Sequence, residues 1–353
     1  MKFTLPKKIS QRFSREIGID LGTANTLVYL RGKGLILNEP SVVAVNQKTG
    51  QVVAVGKEAR DMLGRTPAHI AAVRPLVEGV ISDFEVTEEM ISYLINKAQE
   101  EKMAFGPRVV IGVPSGVTNV EIRAVRDAAT NAGAREVFLI EEPMAAALGA
   151  RLPVHEPIGT MLVDIGGGTT DIALMSLGGI VRSKNIRIAG DVLNQDIAAY
   201  IRSEFKILIG ERTAEDVKIA VGTVLKPATP LTTTIRGRDL VTGLPREIVV
   251  TDADVREAIS SSIASIVEAI KEVIESAPPE VVADVMRQGI YLTGGGALLR
   301  GLPELLAAEL KVPIHVVDDP LTTVVRGTGM VLENVEKFAP VLIHDDDDSL
   351  SGF

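Results

Sequence analysis

The sequence has no cysteine and no tryptophan, and aromatic residues make up only 3% of its 353 positions. Without thiols there is neither a disulfide framework nor a thiolate metal site, which fits a reducing compartment. No stretch approaches the ~18 consecutive apolar residues of a membrane-spanning helix. The N-terminus is basic but is not followed by an apolar block, so no secretory signal is expected. An excess of cations is missing too: 37 Lys and Arg stand against 46 Asp and Glu, a net charge of -9. Nucleic acid is therefore not the expected partner, because phosphate backbones call for a basic face. No Walker A pattern occurs, which excludes a P-loop.

What is present is a long, ordinary globular composition, 46% hydrophobic and 24% charged. The length exceeds one core, so two lobes are expected. After the basic leader MKFTLPKKISQRFSR, β-rich segments begin at residue 17. A hairpin turn is predicted at Asn46 to Gly50, and the pattern of VTEEMISYLINKAQEEK predicts a helix opening at Thr87. RVVIGVP and VFLIEEP read as strands around the helix NVEIRAVRDAATNAG, closed by Gly133. From about residue 158 the rhythm restarts: hairpin strands, a helix from about Val192 to Ile209, and a Thr-rich insert. A long helix follows with apolar positions 255, 259, 263, 266, 270 and 274 on one face. Strand, glycine turn and helix close the second half in GIYLTGGGALLRGLPELLAAEL. The predicted class is α/β, with two lobes that each carry a mixed sheet flanked by helices.

The two halves share one segment. IGIDLGTANTLVYL (17–30) and MLVDIGGGTTDIAL (161–174) align without gaps, matching Asp20 to Asp164, Gly22 to Gly166, Thr26 to Thr170 and Leu30 to Leu174. Each copy places an Asp at the end of an apolar strand, then a small-residue turn with hydroxyls, then a returning strand. Small residues let a ligand approach the backbone, and consecutive turn N–H groups form an anion site. An Asp cannot hold a phosphate, but it can hold the water of a magnesium ion. Two such turns facing each other would clamp a triphosphate; two plain glycine hairpins are the alternative reading. EEP ends a strand, and Pro143 suits the first turn of the helix that follows. That leaves Glu142 at a helix N-terminus, where a carboxylate can orient water towards a terminal phosphate. Phosphoryl transfer asks mainly for such positioning. Glu141 reads instead as a capping or solvated residue. Glu215 and Lys218 share a helix face, as an exposed ion pair would.

In order along the chain, DLGTANT (20–26), EEPMAAALGA (141–150), DIGGGTTD (164–171), TAEDVK (213–218) and LTGGGALLRG (292–301) resemble the marks of the actin, DnaK-type chaperone and sugar kinase superfamily. From about residue 16 to 335 the wording, including NEPSVVAV, resembles the MreB family of bacterial actins. The resemblance implies an actin-like ATPase fold with the nucleotide, ATP or ADP with Mg2+, in a cleft between the lobes. Lobe I would span 16–156 with 322–340, and a small insert subdomain at about 44–76. Lobe II would span 157–321, with an insert at about 190–251, leaving the leader 1–15 and an acidic tail 341–353. Asp20 and Asp164 are then assigned to the magnesium through water. Gly22, Thr23, Ala24 and Asn25, with Gly166, Gly167, Gly168 and Thr169, wrap the phosphates. Glu142 orients the water with Thr169 as helper. Glu215 and Lys218 reach ribose and adenine, with Gly294, Gly295 and Gly296 against the base. Asp171 is a departure, since many MreB sequences carry Glu there. No lysine follows the first turn as it does in actin, so slow hydrolysis, coupled to polymerisation, is expected.

In the leader, Lys2, Lys7, Lys8, Arg12 and Arg15 precede any acid, and Met1, Phe3, Leu5, Ile9 and Phe13 supply apolar mass. Such a segment can lie in an anionic membrane interface, as can a loop carrying Met103 and Phe105. The resemblance further implies membrane-associated antiparallel double protofilaments at the cytoplasmic face of the cell membrane. It also implies a role in rod shape through RodZ, MreC, MreD and the peptidoglycan synthesis machinery. A chaperone ATPase domain would need a following peptide-binding domain; a small-molecule kinase would need a catalytic base and a substrate pocket.

Overall fold

The computed structural model of the chain describes residues 15–64, 66–99 and 106–344. Two compact units emerge: Met1–Glu156 with Leu177–Ile180 and Thr322–Phe353, and Pro157–Ser176 with Val181–Leu321.

The first unit holds strands β1 (Glu16–Leu21), β2 (Asn25–Leu30), β3 (Gly34–Pro40), β4 (Val43–Asn46) and β5 (Val52–Val55), then helix α1 (Lys57–Met62). Next come β6 (Ile70–Val73), β7 (Leu76–Val77), β8 (Val80–Ile81), α2 (Phe84–Ala98), β9 (Arg108–Val113), α3 (Asn119–Asn131), β10 (Glu136–Glu141) and α4 (Glu142–Gly149). Its main sheet runs β10-β9-β1-β2-β3. β1 is parallel to β9 and antiparallel to β2, and β9 is parallel to β10. β4, β5 and β6 form a small sheet of their own.

Alternation along β1 sets what lies on each face. Ile17, Ile19 and Leu21 join the core built with Met90, Ile91 and Leu94 of α2 and Val125 of α3. Gly18 lies on the opposite face, against Thr328. α2 starts three residues before Thr87: Asp83 is the N-cap and accepts from Val86 N at 3.1 Å. Thr87 sits inside the helix, fully buried, and its hydroxyl donates to the Asp83 carbonyl at 2.7 Å. The capping signal was real but belonged to the acid upstream. α3 opens on a full capping box between Thr118 and Glu121.

The second unit contains β11 (Thr160–Ile165), β12 (Thr170–Ser176), β13 (Gly179–Ile186), α5 (Gly190–Phe205), β14 (Ile207–Leu208) and α6 (Glu211–Val221). β15 (Thr232–Asp239), β16 (Pro245–Thr251), α7 (Asp252–Glu275), α8 (Pro279–Gln288), β17 (Ile290–Thr293), α9 (Leu302–Leu310) and β18 (Ile314–Val316) complete it. The main sheet is β13-β12-β11-β17-β18. β11 is antiparallel to β12 and parallel to β17, which is parallel to β18. Element for element this is the topology of the first sheet, so the sequence repeat is a repeat of architecture. α5 ends earlier than its apolar run suggests, because Lys206 adopts a left-handed conformation (φ 58) and turns the chain into β14. α7 buries Val255, Ile259, Ile263, Ile266 and Ile270, with Val273 rather than Ile274 closing the stripe.

α10 (Thr323–Glu333) and α11 (Val335–Phe338) return to the first unit. α4 and α10 cross with their backbones in contact: a Cβ on Gly149 would collide with the Thr323 carbonyl, and one on Gly327 with the Ala145 carbonyl. The run AAALG therefore does more than favour a helix; its small side chains admit a second helix at backbone distance.

Candidate functional site

In the first unit the parallel strands β1, β9 and β10 end together. Asp20 pairs with Gly112 of β9, and Gly112 pairs with Ile140 of β10. Open α/β sheets bind ligands outside such carboxyl ends. Glu142, the first residue of α4, follows directly, and its Cγ lies 3.4 Å from where a Gly112 side chain would begin. A Cβ at 112 would press on Val324 Cγ1 at 3.0 Å and touch Glu142 only at van der Waals distance. Its neighbour Glu141 accepts a hydrogen bond from the Ser115 hydroxyl at 2.6 Å, which gives it a local structural role.

Gly22, Thr23 and Ala24 connect β1 to β2. A Cβ on Gly22 would come within 2.6 Å of the Asn25 carbonyl, so the tight turn requires glycine. Ser41, fully buried, braces the turn: its N–H donates to the Ala24 carbonyl at 3.0 Å and its hydroxyl to the Gly22 carbonyl. The Thr23 hydroxyl accepts from Gly79 N at 3.1 Å, tying the turn to the β7–β8 hairpin. Asn25 is exposed at the start of β2.

Burial pushes the half-buried Asp20 carboxyl up to about 7, from an ordinary 3.8. The folded chain thus prefers this group neutral, while the unfolded chain ionises it near its ordinary value. Its ionisation costs the fold nothing below about pH 4, costs more as pH rises to about 7, and the penalty persists above. A bound cation would remove it. Without nucleotide or divalent cation, Asp20→Asn is expected to melt a few degrees above the parent at pH 8, a gain on the order of 1–2 kcal/mol after allowance for partial solvation. Near pH 4 the two should coincide. A difference that stays constant across that range in thermal melts would rule this out.

In the second unit Asp164 ends β11, and Gly166 N donates to the Thr169 carbonyl at 2.9 Å, closing the turn. Gly168 and Thr169 are buried, Gly166 and Gly167 half-buried. The N-terminus of α5 meets this turn: Gly190 N donates to the Gly166 carbonyl at 3.1 Å and Asp191 N to the Gly167 carbonyl at 2.8 Å. Lys218 of α6 arrives at the same place, its ammonium donating to the Gly190 carbonyl at 2.8 Å. Burial lowers its pKa, against the opposing pull of Glu215. Both residues are half-buried, so the pair is not the solvated surface bridge that spacing alone permits.

Gly294 to Gly296 follow β17, whose Thr293 pairs with Asp164. A Cβ on Gly294, at φ 78, would collide with the Asp164 carboxylate and the Ile165 carbonyl, and one on Gly296 with the Ile165 side chain. The two glycine turns are therefore packed together, and the second one shapes the surroundings of Asp164. Gly295 has more room, with Leu321 at 3.4 Å. Asp171 lies opposite Asp164 in the β11–β12 register and is almost fully buried; Asn185 donates to it at 2.9 Å. The first copy has Leu27 at that place, opposite Asp20.

The structure thus brings Asp20, the first turn and Glu142 to one end of one sheet. It brings Asp164, the second turn, Glu215, Lys218 and the third glycine turn to one end of the other. Ser41, Gly79, Gly190 and Asn185 were missed by sequence reasoning; no local pattern announces partners so far away in the chain. Met1, Phe3, Leu5, Ile9, Phe13, Met103 and Phe105 lie outside the described residues, as does the tail from Asp345. No described helix is long and apolar enough to cross a membrane.

Comparison with known proteins gives this arrangement a family. The chain is 53% identical over 325 residues to the cell shape-determining protein Mbl of Bacillus cereus, covering 92% of this chain and 98% of that protein. It is 48% identical over 335 residues to the cell shape-determining protein MreB of Escherichia coli, covering 94% and 96%. Among solved structures, MreB5 of Spiroplasma citri bound to AMPPNP superposes with a TM-score of 0.88 at 39% identity, covering 93% of this chain and 98% of that one. The double helical filament of MamK gives a TM-score of 0.78 at 25% identity, covering 91% and 99%. Residues 14–340 match the MreB/Mbl protein family, and the chain belongs to it.

Proposed function

We propose that this chain is an ATP-hydrolysing cytoskeletal protein that polymerises at the cytoplasmic face of the cell membrane and helps set rod shape. The observation that carries the reading is the doubled turn: each unit ends a parallel strand of its sheet with an Asp and a tight glycine and hydroxyl loop, in a chain whose relative is described with AMPPNP bound. In this reading the amides of Gly22 to Asn25 and of Gly166 to Thr169 hold the phosphates. Lys218, Glu215 and Gly294 to Gly296 hold the nucleoside.

The donor set suits Mg2+. Asp20 and Asp164 are single carboxylates on separate units, and no group of three or more His, Cys, Asp or Glu among the described residues could hold a metal alone. Phosphate and water oxygens would supply most ligands, which is how magnesium is commonly bound. When bound, the ion neutralises charge on the phosphates. Glu142 orients the attacking water and accepts its proton, and Thr169 assists by hydrogen bonding. With no lysine after the first turn, hydrolysis is slow and suits a polymer that ages after assembly.

The leader and the loop at Met103 and Phe105 are the membrane contacts of this reading, and RodZ, MreC, MreD and the peptidoglycan synthesis machinery its partners. Electron microscopy of the protein with ATP and magnesium on anionic liposomes is expected to show paired filaments on the lipid. Deletion of residues 1–15 should lower liposome co-sedimentation; undiminished binding would shift the anchor to the loop. Absence of filaments under every nucleotide condition would contradict the reading.

A further inference from the structure

The second unit carries an open groove of about 600 Å³ that the nucleotide reading does not use. Ala198, Ala199 and Arg202 of α5 line it with Lys206 just beyond the helix end, together with Leu208 and Leu240. The two alanines keep the helix wall low, while Leu208 and Leu240 are 38% and 42% exposed and offer apolar surface. Arg202 has no ion-pair or hydrogen-bond partner among the described residues, and the Lys206 ammonium donates to the Ser203 carbonyl at 2.6 Å. No acidic residue lines the groove, although the chain as a whole carries a net charge of -9. The walls are fixed: the left-handed Lys206 sets the bend from α5 into β14, and the buried Asp239 carboxylate accepts from Val241 N and Thr242 N at 2.8 and 2.9 Å beside Leu240.

One part of this chain has the complementary chemistry. Residues 345–353, DDDDSLSGF, place four consecutive acids ahead of Leu350 and Phe353. We propose that the groove receives this C-terminal segment from a second copy of the chain, with its aspartates against Arg202 and Lys206 and its apolar residues against Leu208 and Leu240. An acidic tail is repelled by most of an acidic protein and is drawn to a place where Arg202 and Lys206 stand without an ion-pair partner among the described residues. A second groove, along α7, is lined by Glu268 and Glu309 and lacks that selectivity. An anionic lipid surface would also meet the cations, but a concave channel with apolar walls fits an extended peptide better than a flat bilayer. Exposed ion pairs contribute little singly, so the contact is weak between isolated copies and gains strength where a filament presents many at once. That last step rests on the proposed polymerisation; binding of the segment does not.

The test is fluorescence anisotropy of a labelled DDDDSLSGF peptide added to the full-length protein, held below its assembly concentration. Saturable binding is expected, weakened several-fold between roughly 50 and roughly 500 mM NaCl by screening. The double change Arg202→Glu with Lys206→Glu should weaken it at least tenfold, and both side chains are exposed, so the fold should survive, as melting temperature will verify. A peptide with Leu350 and Phe353 replaced by serine should also bind less well. No saturable binding, or equal binding to parent and double variant, overturns the proposal. So does a double variant that binds peptide normally but loses liposome co-sedimentation, which would assign the groove to lipid.

Discussion

Replacing Glu142 by alanine is expected to slow phosphate release by about 100-fold or more, the usual contribution of a positioned proton acceptor, while nucleotide affinity changes little. The residue is the first of α4, a helix packed backbone to backbone on α10, and its Cγ lies beside Gly112 of β9. Gly112, beside it, is the pairing partner of Asp20. Glu142 and the proposed magnesium carboxylate thus share one sheet end, and a water between a bound phosphate and this carboxylate has a fixed acceptor. Loss of an acid from a helix's first turn costs about 0.3–1 kcal/mol, too little to unfold the unit, so lost activity with retained binding is separable from misfolding. Glu141→Ala is the control: its carboxylate is engaged by Ser115, and hydrolysis should persist. Fluorescent-nucleotide titration together with phosphate release distinguishes the outcomes. Unchanged release in Glu142→Ala would remove the residue from its role.

Much of this was legible in the residues because the signal is local. A turn that needs Asp, glycine and hydroxyl within seven positions writes itself into the sequence, and writing it twice predicted two sheets of one topology, which the strand orders show. The glycines at 294 to 296 were readable as close approach, although part of what approaches is protein: Asp164 and Ile165 fill the space a side chain would need. Longer-range partners left no trace. Ser41 supports the first turn from β3's far side, Gly79 reaches Thr23 across 56 positions, and Gly190 brings the α5 N-terminus and Lys218 to the second turn. Each is decided by tertiary packing, which periodicity does not encode. Thr87 shows the same limit at short range: a capping pattern was present, yet Asp83 upstream took the cap and extended the helix. Asp171 changed meaning as well, from a shortened carboxylate of open role to a buried group satisfied by Asn185.

We propose that the turn after Asp20 and the turn after Asp164 serve a single magnesium-bound nucleotide. The most direct test is the affinity for ATP, with and without magnesium, of Asp20→Ala and Asp164→Ala measured side by side, with Asp164→Asn included because Gly294 packs against that carboxylate. Each variant is predicted to lose about 10- to 100-fold in magnesium-dependent affinity, the range typical of groups that orient a metal's ligands, and to differ little from the parent when the metal is chelated. If either alanine variant binds magnesium and ATP as tightly as the parent, the turns do not share one ligand and the claim fails.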